Sequence, residues 1–408
     1  MTSTPQNSDS VPWRLMRLAA LTLAMALLPT LFAALPAQGQ TYAILHSFSG
    51  GEPDGGEPMA GLLLGPTGNL FGTASEGGGC ATCDGTVFKL DTSGTLTVLH
   101  SFEDAEGVDP QAGVIRGPSG ELYGTTYLTN GNSCQCGTVY KLYKGTLTVL
   151  HTFSGPDGSE PDAGLFRDAA GNLYGTTRIG GAFNHGTLFK LDTTGTLTVL
   201  HSFGANVKRD GRAPYAGLVL DGSGNAYGTT FYGGPSGEGT IYKLNLATGK
   251  YATLYSFPGP PGGASPAAGL IRDTAGNLYG TTYIGGNDNV GTIFKFDKRT
   301  STVTVLYSFP WHGGGPEGAY PYGGLVRDSA GNLYGTTVMG GAYRDGTVFK
   351  LGTTNTLTVL HSFKLSTEGG GDGAFPFGSL VLDPAGNLFG TTQAGGAYGW
   401  GTIFKLTP

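Results

Sequence analysis

The sequence predicts an all-β fold, a seven-bladed β-propeller with four antiparallel strands in each blade. Three observations carry this prediction. The 408 residues include 74 Gly and 23 Pro, yet 39% of them are hydrophobic, which excludes disorder. A unit of about 52 residues recurs seven times along the chain. Within each unit, short runs rich in Thr, Val, Tyr and Phe alternate between polar and apolar positions, as strands do.

The first 39 residues have the composition of an export signal rather than of a folded element. Arg14 and Arg17 form a positive region, residues 18–35 are uncharged and apolar, and Ala37-Gln38-Gly39 is a small-x-small cleavage site. The alternative is an uncleaved N-terminal anchor, because the apolar run is near the lower limit for spanning a bilayer. No second run of that length follows, so we expect no membrane span after signal cleavage.

Residues 40–408 are predicted to form one domain, because the seven units fill them completely. Each unit contains a strand of the pattern GT[VIL][FY]K[LF], and its glycine recurs every 49 to 55 residues. These glycines are Gly85, Gly137, Gly186, Gly239, Gly291, Gly346 and Gly401.

The third unit illustrates the four strands expected in every blade. Its strand-like segments are residues 164–167, 172–177, 186–191 and 196–203. Asp-x-x-Gly turns at 168–171 and 192–195 join the first segment to the second and the third to the fourth. Asp at the first position and Gly at the last position are typical of type I turns.

The order of the segments also predicts how the ring closes. The chain after the signal begins with a fourth-strand sequence, residues 41–48, and ends with a third-strand sequence, residues 401–406. We therefore expect the N-terminal strand to complete the C-terminal blade, which removes exposed sheet edges. An open β-solenoid is the alternative, and it would need dedicated caps.

Residues repeated in all units are interpreted as structural, since one active site does not need seven copies. The GTxxK strand places a lysine in every blade. Five of the seven histidines occupy one position in the fourth strand, where Tyr255 and Tyr307 replace them in the other two copies. These histidines are His46, His100, His151, His201 and His361. We expect them to be packing residues with a polar tip.

The loops that join successive units share the pattern acid-Gly-x-x-Pro, with Gly262 replacing the acid in one copy. The acids are Asp54, Glu106, Asp157, Asp210, Glu317 and Asp372. Each carboxylate either caps a turn by accepting backbone N–H groups or belongs to an acidic ring that binds cations or sugar-like ligands. Calcium suits such oxygen ligands, but the sequence has no EF-hand or dense aspartate loop. We therefore predict no cofactor and no metal site.

The loops between the second and third strands vary most and are expected on the same face as the inter-unit loops. They carry aromatic residues among Gly, Asn and Asp, which suits recognition of a peptide or a carbohydrate. These residues are Phe183, Tyr232, Tyr343, Tyr398 and Trp400. The alternative is that these aromatic side chains fold back and cover the blade edges.

All four cysteines fall in these loops of the first two units: Cys80, Cys83, Cys134 and Cys136. Zinc binding would require both pairs to converge, and Cys-x-Cys is atypical spacing for it. In an oxidising compartment we expect disulfides that staple two neighbouring loops. Four cysteines allow three connectivities, which sequence does not distinguish.

The function predicted from these residues is a non-catalytic binding or interaction module for a glycan or protein ligand. The alternative is a lyase or hydrolase with a central pocket, in which His185 acts as general base beside Arg344 and Asp345. The other polar residues that are not shared between units are Arg178, Arg212, Asp288 and His312. No nucleophile elbow or paired-carboxylate spacing accompanies these residues, and a structural scaffold without a ligand is a third possibility. A net charge of −6 without a basic block excludes nucleic-acid partners, and we expect a monomer.

The segment of residues 324–351, GLVRDSAGNLYGTTVMGGAYRDGTVFKL, resembles the GloVer (Gloeo-Verruco) tandem repeat family of exported bacterial proteins. All seven units share this resemblance, and the DxxGNLY segment is more loosely similar to NHL propeller repeats. The resemblance implies an exported repeat protein and no established activity. Because the chain extends only two residues beyond its last predicted strand, we expect secretion or periplasmic residence, or a location at the cell surface.

Overall fold

The computed structural model describes residues 40–79, 84–130, 134–366 and 371–408. The predicted signal peptide and two of the cysteines, Cys80 and Cys83, lie outside these ranges. Within the same ranges no helix has the length and apolar character needed to cross a bilayer. The only helical segment there is a single 3-10 turn, His312–Gly314.

The strands form seven four-stranded antiparallel sheets, as the sequence predicts. Each sheet is one blade, with its strands in order from the innermost to the outermost. Blade 1 contains β2 (Leu63–Leu64), β3 (Leu70–Ala74), β4 (Thr86–Leu90) and β5 (Leu96–Ser101). Blade 2 contains β6 (Ile115–Arg116), β7 (Leu122–Thr126), β8 (Thr138–Tyr143) and β9 (Thr146–Thr152). Blade 3 contains β10 (Phe166–Arg167), β11 (Leu173–Thr177), β12 (Thr187–Leu191) and β13 (Leu197–Ser202).

The remaining blades repeat the same order. Blade 4 contains β15 (Val219–Leu220), β16 (Asn225–Thr230), β18 (Thr240–Asn245) and β19 (Tyr251–Ser256). Blade 5 contains β20 (Ile271–Arg272), β21 (Leu278–Thr282), β22 (Thr292–Asp297) and β23 (Thr302–Ser308). Blade 6 contains β24 (Val326–Arg327), β25 (Leu333–Thr337), β26 (Thr347–Leu351) and β27 (Leu357–Ser362). Blade 7 contains β29 (Val381–Leu382), β30 (Leu388–Thr392), β32 (Thr402–Thr407) and β1 (Thr41–Ser47).

The ring is closed by the N-terminal strand, as the order of the segments predicts. β1 pairs antiparallel with β32, from Thr41 opposite Thr407 to Ser47 opposite Thr402. The Tyr42 ring on β1 stacks on the His361 ring of blade 6 at 3.9 Å, and its hydroxyl donates to the Asp372 carbonyl at 2.6 Å. The first and last strands of the chain therefore fasten blade 7 to blade 6.

The outermost strand of every blade carries a β-bulge at the same place. In blade 3, Leu188 lies opposite His201 but Phe189 lies opposite Val199, so one residue of β13 is extra. The third and outermost strands of the other six blades have the same shift. A bulge increases local twist and redirects the side chains beyond it. The histidine of this strand therefore points toward the loop that follows.

The core lies between adjacent blades and is built on pairs of aromatic rings. The phenylalanine that follows each outermost strand packs on the aromatic residue of the third strand in the next blade, as Phe153 does on Phe189. All seven blade interfaces have this pair, with ring centroids 5.0 to 5.4 Å apart. Such a pair contributes about 0.5–1.5 kcal/mol beyond its buried area. These contacts join neighbouring blades around the ring.

Glycines allow the blades to meet closely around the ring axis. A Cβ at Gly113 would lie 2.6 Å from the Gly61 carbonyl oxygen, and one at Gly217 would lie 3.1 Å from that of Gly164. Next to this ring of backbone, the Thr176 hydroxyl donates to the Ala216 carbonyl of the following blade. The inner ends of neighbouring blades therefore approach backbone to backbone and are joined by this hydroxyl hydrogen bond.

Candidate functional site

Two sets of loops share one end of the propeller, which we call the loop face. In every blade, the loop entering from the previous blade pairs with the loop between the second and third strands. In blade 4 this pairing joins β14 (Gly211–Arg212) to β17 (Tyr232–Gly233), and in blade 7 it joins β28 (Gly371–Ala374) to β31 (Ala394–Gly396). The other five blades have an isolated bridge at the same place. Both variable loop sets therefore lie together, as expected from the strand order.

Each of the six inter-blade acids contacts the outermost strand that precedes it. The His46 Nε2 lies 2.8 Å from a carboxylate oxygen of Asp54, and four other His and acid pairs repeat this contact at 2.7 to 3.2 Å. The Tyr307 hydroxyl bonds to Glu317 in the sixth pair. The remaining copy, between blades 4 and 5, has Gly262 in place of the acid and Tyr255 in place of the histidine.

The carboxylates also accept hydrogen bonds from their own loops. Asp54 accepts from the Ser49 hydroxyl and N–H. Burial alone would raise the pKa of Asp54, but the bonds from His46 and Ser49 outweigh it and hold the pKa below its usual value. This geometry favours the capping interpretation, because oxygens committed to local donors are less available to a ligand.

The predicted aromatic residues divide into four exposed rings and one half-buried ring. Phe183, Tyr232, Tyr343 and Tyr398 are 49%, 41%, 53% and 65% exposed. The Trp400 side chain lies instead over the positions of Gly50 and Gly56 in the loop that enters blade 1. Four of the five predicted aromatic side chains are therefore exposed on the loops, and the fifth, Trp400, folds back over a neighbouring loop. We call the four exposed side chains the rim aromatics.

The three residues proposed for catalysis contact separate segments of the loop face. The His185 ring lies over Gly204, and burial together with the Arg212 charge lowers its pKa. The Arg344 guanidinium lies over Gly314. The Asp345 carboxylate accepts from the Leu365 N–H, and burial raises its pKa. In the part of the chain that the structure describes, no hydrogen bond or ion pair joins His185 to Arg344 or Asp345.

The described cysteines form a bond within one loop. Cys134 is bonded to Cys136, with their Cα atoms 5.1 Å apart. This pairing uses both cysteines of blade 2, so in this structure they do not staple that loop to the loop of blade 1. Across the described ranges, no group of three or more His, Cys, Asp or Glu residues is arranged to hold a metal ion.

A set of unrepeated side chains meets at the ring axis on the loop face. Arg178 of blade 3 donates to the Tyr127 hydroxyl of blade 2 at 2.7 Å and to the Tyr215 hydroxyl of blade 4 at 3.1 Å. It also bonds to Glu160, which accepts from Tyr127 as well. We call these four residues, with Asp162 and Tyr322, the axial cluster.

Tyr322 belongs to the opposite side of the ring from Asp162, yet the two interact. Burial raises the pKa of Tyr322, and the negative charge of Asp162 raises it further. Asp162 in turn has its pKa raised to about 7, mainly by burial and also by Glu160, although Arg178 lowers it. Perturbed groups of this kind in a recess are typical of functional sites.

An arc of aromatic rings continues around the axis from the axial cluster. The centroids of Tyr215 and Phe231 are 4.9 Å apart, those of Phe231 and Tyr283 6.4 Å, and those of Tyr283 and Tyr322 6.0 Å. Phe377 follows at 5.3 Å from Tyr322. We call these five rings the aromatic arc. The axial region is therefore charged toward blades 2 and 3 and aromatic toward blades 4 to 7.

Of the axial cluster, sequence reasoning singled out only Arg178. For Asp162, Tyr215 and Tyr322, the sequence signal is their shared position in the repeat. The residue after the proline of the inter-blade loop differs in almost every copy, while the Ala-Gly or Gly-Gly that follows it is nearly constant. The residues at this position are Met59, Gln111, Asp162, Tyr215, Ala267, Tyr322 and Phe377.

Seven four-stranded blades around an axis, with asymmetric side chains at one end, define a β-propeller with a single distinctive face. The Gloeobacter/Verrucomicrobia repeat profile matches residues 29–218 and 204–371. The chain belongs to this repeat family, as the resemblance of its units implies. No curated protein matches the sequence significantly.

Solved structures share the fold at low sequence identity. A streptogramin B lyase is 17% identical, with 90% of this chain and 97% of that chain covered and a TM-score of 0.60. Virginiamycin B lyase from Staphylococcus aureus is 13% identical, with coverage of 90% and 99% and a TM-score of 0.58. The extracellular domain of a hybrid two component system from B. thetaiotaomicron is 14% identical, with 87% of this chain but 40% of that chain covered and a TM-score of 0.56. At these identities the similarity shows the fold alone.

Proposed function

We propose that this protein is an exported, non-catalytic binding module that holds a carbohydrate on its loop face. One observation carries the proposal. Of the nine exposed large hydrophobic residues in the described ranges, all except Ile44 lie in loops of this face. Aromatic side chains exposed on loops that a rigid scaffold positions are typical of recognition sites. The N-terminal signal predicted from sequence supports export.

The arrangement of the rim aromatics suits a carbohydrate. They lie one per blade and are separated by glycine and polar residues, so they do not form a continuous apolar patch. Tyr343 and Tyr398 occupy the same repeat position in adjacent blades, in the sequences GGAYRDG and GGAYGWG. A polymer of sugar units can meet such rings in succession, and an aromatic side chain offers large contact area at low entropic cost.

The geometry gives less support to a lyase or hydrolase. His185 shares no hydrogen bond or ring contact with the axial cluster in the described ranges, and its lowered pKa comes from burial and from Arg212. A general base needs to reach the proton that it abstracts. The imidazole lies over a glycine of the inter-blade loop instead.

The test is retention on immobilised polysaccharides and binding to a glycan array by the purified propeller. We expect Tyr343→Ala and Tyr398→Ala each to weaken binding about two- to tenfold, since a stacked ring contributes about 0.5–1.5 kcal/mol. Tyr143→Ala is the matched control, because Tyr143 ends β8 at the opposite end of the propeller. Absence of binding to every polysaccharide, or equal loss in all three variants, would overturn the proposal.

A further inference from the structure

The Asp162 carboxylate is a half-buried acid of the axial cluster, at the same repeat position as Tyr215 and Tyr322. It is only partly exposed, and it accepts no hydrogen bond from the part of the chain that the structure describes. Recessed carboxylates are ordinarily paired or bonded, because desolvating them without a partner is costly. Asp162 is therefore placed to receive a donor that the chain itself does not supply.

The nearby guanidinium does not fill this role. Arg178 directs its Nε and Nη atoms to Glu160, Tyr127 and Tyr215. The guanidinium carbon of Arg178 lies 5.6 Å from the ring centroids of Tyr127 and Tyr215. The charge of Arg178 is thus offset by Glu160, to which it is bonded.

A second recessed carboxylate strengthens the negative potential. Burial raises the pKa of Asp109 to about 7 even though the Gln111 amide bonds to it. The negative charges of Asp162, Asp84 and Glu76 raise it further. Since like charges disfavour one another's ionisation, a cation near Asp162 would relieve part of the repulsion between Asp162 and Asp109.

The aromatic arc provides the complementary wall. The charge of Asp162 raises the pKa of Tyr215 and Tyr322, in each case after the larger effect of burial. Both ends of this part of the arc therefore lie within electrostatic reach of the carboxylate. Aromatic faces attract cations and accept the hydrocarbon part of a ligand.

We propose that the ring axis of the loop face binds an organic cation, a protonated amine whose ammonium group meets Asp162 and whose carbon skeleton lies against the aromatic arc. A neutral polyol would leave the excess negative charge uncompensated. A bare metal ion is disfavoured because, across the described ranges, no group of three or more potential ligands converges. This site is separate from the rim aromatics and does not depend on the proposed carbohydrate binding.

Benzylamine and benzyl alcohol are matched probes, since they differ mainly in the charged head group. We expect calorimetry at pH 8 to show benzylamine binding at least about tenfold more tightly than benzyl alcohol. Asp162→Asn should reduce this preference to about twofold or less. Phe231→Leu should weaken benzylamine binding about threefold while keeping an apolar side chain. Thermal unfolding of each variant verifies that it is folded, and removal of a recessed charge should not destabilise the Asp162→Asn protein.

The pH dependence gives a readout that a structural role for Asp162 would not produce. Benzylamine is protonated at both pH 6 and pH 8, whereas a carboxyl group with a pKa of about 7 passes from mostly neutral to mostly charged. Affinity should therefore rise about tenfold over this interval in the native protein and clearly less in Asp162→Asn, in which Asp109 is the remaining carboxyl group with a pKa of about 7.

Control variants separate this site from its surroundings and from the rim. Glu103→Gln removes one exposed negative charge from the inter-blade loop before blade 2 and should leave the preference unchanged. Tyr398→Ala should also leave it unchanged, so failure here and failure of carbohydrate binding are distinguishable. Equal affinity for the two probes, or a preference retained in Asp162→Asn, would overturn the proposal.

Discussion

At the residue scale, the repeated histidine and the repeated acid are two halves of one structural device. Five blades join them directly, and a sixth joins Tyr307 to Glu317. The copy without the acid also lacks the histidine. In that copy Gly262 replaces the acid and Tyr255 replaces the histidine. This joint replacement indicates that the histidine side chain serves mainly to hold the inter-blade loop.

Asp210 is the strongest place to test this device. Its carboxylate is buried and bonds to His201 and to the Gly204 N–H. We expect Asp210→Ala to lower the free energy of unfolding by about 1–3 kcal/mol, since it leaves buried donors without an acceptor. Chemical denaturation measures the change.

Two further variants serve as controls for the stability change in Asp210→Ala. Glu103→Ala, at an exposed acid of another inter-blade loop, should change stability by no more than about 0.5 kcal/mol. His201→Tyr reproduces the residue found in two other blades and should be tolerated better than Asp210→Ala. A loss for Asp210→Ala no greater than that for Glu103→Ala would contradict the structural role.

At the scale of the element, a mid-strand glycine makes room for the ring that joins two blades. Gly175 of β11 lies directly opposite Phe189 of β12. The Phe189 ring occupies the space above the glycine and also packs against Phe153 of the previous blade. The close approach at this strand glycine is therefore to an aromatic ring of the same blade.

A methyl group at Gly175 tests this packing. A Cβ there would lie 2.6 Å from Phe189 and 3.0 Å from Leu165, both of which are buried. We expect Gly175→Ala to destabilise the protein by about 1–3 kcal/mol through overpacking. Thermal and chemical unfolding give the change in stability.

Gly222 provides the matched control for the same substitution. It lies in an exposed turn of blade 4, and a Cβ there would meet nothing within 4 Å. Gly222→Ala should alter stability by no more than about 0.5 kcal/mol. Equal effects at the two glycines would show that the Phe189 ring does not need the space left by the absent side chain at Gly175.

At the scale of the whole molecule, closure depends on one strand from the far end of the chain. β1 supplies the outermost strand of blade 7, and its Phe48 neighbour fills the interface with blade 1 against Phe88. Without β1, the edge of β32 and an aromatic pocket would be exposed together. Unpaired edges of this kind template association with other chains.

Deletion of residues 40–48 tests the role of closure. We expect the shortened chain to unfold at lower temperature and to self-associate, since both the strand edge and the Phe88 pocket are uncovered. Size-exclusion chromatography and thermal unfolding measure these effects. A synthetic peptide of residues 40–50 should reverse the self-association, and a scrambled peptide should not. A deleted chain with the stability and the oligomeric state of the native protein would contradict this account.

Most of the fold was predictable because each copy of the unit repeats the same local chemistry. The turn at 168–171 and the strand at 172–177 were apparent from Asp, Gly and alternating Thr and Leu. The structure shortens the innermost strand to Phe166–Arg167, because glycine-rich backbones crowd at the axis. The bulge at Leu188 and Phe189 was not predictable, since alternation alone carries no register.

The candidate site was only partly predictable. Exposed loop aromatics such as Tyr343 and Tyr398 were identified from composition and variability. The axial cluster was missed apart from Arg178, because Asp162 and Tyr322 are 160 positions apart and belong to opposite blades. Their proximity follows from closing the ring, which no local pattern describes.

The sequence by itself determined the class of fold, the number of blades, the order of their strands and the strand that closes the ring. These properties depend on local spacing and turn chemistry repeated seven times. Only the tertiary structure decided which loop residues meet, because curvature and closure bring unrepeated side chains from separate blades to one axis. The position of Asp162 beside the aromatic arc is a product of that closure.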